Sequence, residues 1–121
     1  MNIVVAAFYA DIPGKPSRLN EFLPLILASR RALFLTNPNA KYVILTDSLT
    51  GELLRDHVDY KVVAPEHMAL MPKILFAQQT FLSRCEADFI ILTDVDCLAN
   101  RSFDDVTPDY VGFATTQTHL W

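Results

Sequence analysis

The chain predicts an α/β domain, a mainly parallel, Rossmann-like sheet with flanking helices. Its apolar segments "NIVVAAFY", "KYVILTD" and "FIILTDVDCL" run on without alternation, as strands covered on both faces do. Between them lie segments with apolar residues at helical spacing, and strand–helix alternation builds parallel sheets through right-handed crossovers. Composition agrees. Seven prolines and three glycines punctuate 121 residues without forming a linker, a repeat or a low-complexity tail, so one domain with one core is expected over 1–121.

The first strand is Asn2 to Tyr9, followed by a loop with Pro13, Gly14 and Pro16. Leu19, Phe22, Leu23, Ile26, Leu33 and Phe34 then fall near the helical period. Asn20 is the expected cap, which would leave Pro24 harmless near the first turn; without that cap Pro24 would kink the helix. "NPNA" stops it. Lys41 to Asp47 is the second strand, a short helix runs from about Leu49 to His57, and "YKVVA" is the third strand. "MPKILFAQQTFLSRC" is a strong helix, with Pro72 in its first turn and Ile74, Ala77, Phe81 and Cys85 on one face. The run from Phe89 is a fourth, fully buried strand, and "YVGFATT" a fifth. In the order 3-2-1-4 the winding reverses between strands one and four, where α/β sheets bind ligands beyond the strands' carboxyl ends. Tyr9–Asp11 and Asp94–Asp96 would flank that crevice. No helix follows the fifth strand before Trp121, so the domain reads as truncated, completed by a missing C-terminal half, a partner or a second copy.

The formal net charge is −4, and the ten basic residues are scattered apart from Arg30–Arg31, which argues against nucleic acid or an anionic membrane as partner. No segment approaches the roughly 20 apolar residues of a membrane span. Cys85 and Cys97 have neither C-x-x-C nor metal-finger spacing; they read as buried or half-buried thiols in a reducing, cytoplasmic setting. His57, His67 and His119 show no ligand spacing, and Asp104–Asp105 read as turn residues.

The fourth strand ends in two carboxylates, Asp94 and Asp96, around Val95. On an extended chain they would sit on one side, roughly 6–7 Å apart, repelling by about 2–3 kcal/mol at an effective dielectric near 20. A divalent cation would relieve that cost. Asp at a strand end also makes turns without any ligand.

The segment "MPKILFAQQTFLSRCEADFIILTDVDCLANRSFDDV" resembles nucleotide-sugar glycosyltransferases of the GT-A fold, in particular the galactosyltransferase and glycogenin-like branches. There an Asp-x-Asp follows such a helix and strand and precedes a turn and a strand beginning like "YVGFAT". The resemblance runs from Asn2 to about Thr116. It implies a metal-dependent transferase using a nucleotide-diphosphate sugar, with UDP as the nucleotide and Mn²⁺ or Mg²⁺ bound by Asp94 and Asp96. It further implies donor contacts from Phe8, Tyr9, Ala10, Asp11, Asp47, Lys73, Asp94 and Val95. The chemistry is coherent: a hard cation on carboxylate oxygens neutralises the charge that gathers on the departing diphosphate. Read alone, Lys73 is a solvated lysine at a helix start, Asp47 and Asp11 are turn acids, and Phe8 and Tyr9 are core or rim aromatics.

Two other readings compete. A non-catalytic nucleotide-sugar-binding or interaction subunit fits the brevity of the chain, and the 121 residues alone are expected to transfer nothing to an unknown acceptor. The motif also resembles haloacid-dehalogenase-like phosphatases, with Asp94 as nucleophile and Asp96 as acid/base. That family carries its motif on the first strand with Thr or Val two residues after the second Asp, where this chain has a fourth strand and Leu98.

Overall fold

A computed structural model describes residues 2–103. The elements are β1 (Ile3–Phe8), α1 (Leu19–Thr36), β2 (Lys41–Thr46), α2 (Ser48–Leu54), β3 (Tyr60–Val62), α3 (Leu70–Arg84) and β4 (Phe89–Thr93). The sheet order is β3-β2-β1-β4, with every pairing parallel. The α/β class and the strand order expected from the sequence are therefore both present. The fifth strand expected at "YVGFATT", with Asp104, Asp105 and His119, lies outside the described residues.

Strand alternation divides the core into two layers. One face of β1 and β2 presents Ile3, Val5, Ala7, Tyr42 and Ile44 to Ile26 and Leu33 of α1 and Leu54 of α2. The other presents Val4, Ala6, Val43 and Leu45 to Ala77 and Phe81 of α3. Both faces are covered, which is why these two strands carry no polar alternation. Each large aliphatic chain buried here contributes about 1.5–3 kcal/mol.

Two of the boundaries differ from the sequence expectation. The first helix starts at Leu19 with Arg18 in the cap position and no side-chain cap, so Asn20 is inside the helix. The amides of its entry are taken from outside instead: Asp11 Oδ1 accepts Arg18 N at 3.3 Å and Ser17 Oγ accepts Leu19 N at 3.2 Å. Pro24 lies within α1, which runs on to Thr36. Asp47 is not the last residue of β2 but the N-cap of α2, accepting Thr50 N. In α3, Lys73 N makes its helical bond to Ala69 O at 2.9 Å, so Pro72 lies in the first turn, where no intrahelical donor is required.

The fourth strand was expected to be fully buried. Among the described residues β4 is an edge strand, its Phe89, Ile90 and Ile91 half-buried and Leu92 exposed. No helix of the described residues is long and apolar enough to cross a membrane.

Candidate functional site

The carboxyl ends of β1 and β4 are adjacent, because these strands pair from Ile3↔Phe89 to Ala7↔Thr93. The chain leaves β1 through Tyr9, Ala10 and Asp11, and a β-turn then closes where Lys15 N meets Ile12 O. Pro13 and Gly14 are its central residues, and Gly14 has φ +79°, the positive value that the third position of a type II turn needs. The guanidinium of Arg18 lies 5.1 Å from the centroid of the Phe22 ring and is bonded to Glu21.

A cavity of about 250 Å³ opens between these elements, lined among others by Phe8, Tyr9, Asp11, Arg18, Phe22 and Val95. Ala10 lines it too, so five of the residues singled out from the sequence meet at one crevice. The Tyr9 hydroxyl donates to Asp11 Oδ1 at 2.7 Å. Burial, and then this bond and the adjoining charge of Asp11, raise the Tyr9 pKa well above its usual value, so the phenol stays a donor.

The acidic pair has a different geometry from the extended one expected. β4 ends at Thr93, and Asp94 to Cys97 form a turn closed by Cys97 N donating to Asp94 O at 3.3 Å. Strand spacing therefore does not govern the two carboxylates. Val95 is buried into the core and the crevice wall, while Asp94 and Asp96 on either side of it are exposed. Neither carboxylate takes a hydrogen bond or ion pair from the described residues. Two carboxylates, unpaired among the described residues and flanking a residue of the crevice wall, suit a hard cation that completes its shell from substrate oxygens. Among the described residues no three His, Cys, Asp or Glu side chains gather as a metal cage.

Asp47 and Lys73 stand apart. Lys73 is 1% exposed and Asp47 2%, with Nζ 3.0 Å from Asp47 Oδ2 and 2.8 Å from Glu66 O. The solvated helix-start lysine is thus corrected to a buried one, and its cation is already neutralised. The pair still reaches the crevice through Thr50: Thr50 N donates to Asp47 Oδ1, and Thr50 Oγ1 accepts Asp11 N at 3.0 Å. Thr50 went unnoticed in the sequence, although "DSLT" places it three residues after an Asp, the position whose amide an N-cap carboxylate accepts.

Cys97 is exposed and Cys85 half-buried, and both are free, which corrects the expectation for Cys97. No family model, curated protein or solved structure matches the chain.

Proposed function

We propose that this domain binds a nucleotide-diphosphate sugar through a divalent cation, as the donor site of a metal-dependent glycosyltransferase. The observation that carries this reading is the crevice at the carboxyl ends of β1 and β4, lined by Tyr9 to Asp11 and by Val95, with the carboxylates of Asp94 and Asp96 on either side of Val95 exposed and unpaired among the described residues. Ligands of parallel α/β sheets gather at such a switch point.

Each residue has a part that its surroundings support. Tyr9, Phe22 and Ile12 give the cavity apolar and aromatic walls that accommodate a planar base. Asp11 is fixed by Tyr9 and by Arg18 N, and offers carboxylate oxygen to base or ribose hydrogen-bond donors. Asp94 and Asp96 would hold Mn²⁺ or Mg²⁺, which when bound would supply charge neutralisation for a departing diphosphate. Asp47 and Lys73 act one step back, fixing Thr50 and through it the Asp11 backbone, instead of touching the donor. The free thiols suit a reducing compartment, consistent with a cytoplasmic enzyme.

The test is a thermal-shift matrix of UDP, UDP-glucose and UDP-galactose with and without Mn²⁺. Stabilisation only when nucleotide and metal are both present is expected, about 2.7 kcal/mol at a ligand concentration 100 times Kd. No shift with any combination overturns the reading.

A further inference from the structure

The chain after the acidic turn is fastened to α1 by two polar side chains that the donor site does not use. Ser29, 3% exposed, donates from Oγ to Cys97 O at 2.6 Å. Asn37, 8% exposed, donates from Nδ2 to Arg101 O at 3.1 Å and accepts Phe103 N on Oδ1 at 2.7 Å. The two anchors match in length. From residue 29 to the C-cap at 37 is eight steps, about 12 Å of rise, and the four steps from 97 to 101 reach at most about 14 Å. Leu33 lies between the anchors and lines one apolar cavity with Leu98 and Ala99.

Cys97 is thereby held on both sides. Its N–H closes the acidic turn on Asp94 O, and its carbonyl is tied to α1. β4 supplies the anchor on the other flank, ending at Thr93. The carboxylates of Asp94 and Asp96 have no hydrogen bond or ion pair among the described residues, so their orientation depends on the turn backbone that carries them.

We propose that Ser29, seconded by Asn37, is a positioning residue for the cation site: it fixes the turn through the Cys97 carbonyl and so sets the direction of the Asp94 and Asp96 carboxylates without touching the metal. The inference rests on the donor-site reading above. Outer partners that orient metal ligands typically change affinity by about 10–100-fold when removed.

The experiment is a Mn²⁺ titration by electron paramagnetic resonance on the full chain with saturating UDP. The variants are Ser29→Ala, Ser29→Thr, Asn37→Asp and, as a core control, Ile44→Val. Ser29→Ala is expected to weaken Mn²⁺ about tenfold, to speed amide exchange in residues 94–103 alone, and to be rescued by Ser29→Thr, which restores the hydroxyl. Ile44→Val is expected to leave Mn²⁺ affinity unchanged. Should Ser29→Ala not fold, Asn37→Asp decides, since it removes the donor to Arg101 O while keeping the acceptor for Phe103 N. Wild-type affinity in Ser29→Ala, or in Asn37→Asp where Ser29→Ala does not fold, overturns the proposal and leaves the donor site standing. Absence of Mn²⁺ binding in the wild type overturns the donor site and the clamp with it.

Discussion

Lys73 Nζ lies 3.0 Å from Asp47 Oδ2 with both side chains out of solvent, so the first turn of α3 is joined to the N-cap of α2. A buried pair of this kind is weak as net stabilisation but expensive to break, because the survivor keeps its charge without a partner. Lys73→Met is therefore expected to cost about 3–5 kcal/mol. Asp47→Asn keeps an N-cap acceptor for Thr50 N but leaves the ammonium uncompensated, for a similar loss. The double variant should be far less unstable than the sum of the singles, a coupling measurable by urea denaturation. Strict additivity would show that the pair does not act as one unit.

The acidic turn predicts the opposite behaviour. Asp94 and Asp96 are exposed and their carboxylates receive no protein hydrogen bond among the described residues, so Asp94→Asn and Asp96→Asn should change stability in the apo protein by less than about 0.5 kcal/mol. Both should abolish the Mn²⁺-dependent thermal shift with UDP. A shift that survives in both variants would place the cation elsewhere.

Gly51 sits inside α2, where alanine ordinarily gains up to about 1 kcal/mol. Here a Cβ would fall 2.7 Å from Tyr60 Cε2 and 3.3 Å from Val62 Cγ2. The helix rests directly on β3, and overpacking costs about 1–3 kcal/mol. Gly51→Ala is expected to destabilise by about 1 kcal/mol net, read as a lower urea midpoint. A rise in that midpoint would mean that the Tyr60 ring swings aside freely.

These residues show what was legible in the sequence. The parallel sheet and the two-sided core followed from unbroken apolar runs, and the crevice followed from where the winding reverses in the order 3-2-1-4. Burial at single positions was harder to read. Lys73 looks like any lysine in a first turn, because the partner that draws it inward, Asp47, is 26 residues away and itself looks like a turn acid. Ser29 left a detectable trace: it lies in the stripe Phe22, Ile26, Ser29, Leu33, and a hydroxyl on an apolar face needs a partner. That the partner is the Cys97 carbonyl is a tertiary fact. Asn37 read only as part of a helix stop, because sequence shows the signal that ends a helix but not what its side chain reaches. The extended geometry assigned to Asp94–Asp96 failed because β4 stops one residue earlier and the chain turns.

Tyr9 makes the stability of the fold dependent on alkaline pH. Its pKa is raised by burial first and by Asp11 second, so folding favours the protonated phenol. Below the unfolded value near 10 both states hold the proton and the Tyr9 contribution is complete. Above it the unfolded chain loses a proton that the native one keeps, and stability falls by about 1.36 kcal/mol per pH unit from this group. Tyr42, also raised chiefly by burial, adds a second fall of the same sign, so the wild-type curve alone does not isolate Tyr9. The comparison with Tyr9→Phe does. At pH 8 that variant should be less stable by about 1–3 kcal/mol, having lost the hydrogen bond to the Asp11 carboxylate. As pH rises past 10 the gap should close, because the phenylalanine has no proton to lose in the unfolded chain. Urea denaturation at pH 8, 10 and 11 follows the difference, and a gap that stays constant across this range would mean that the Tyr9 hydroxyl ionises as readily in the folded crevice as in water.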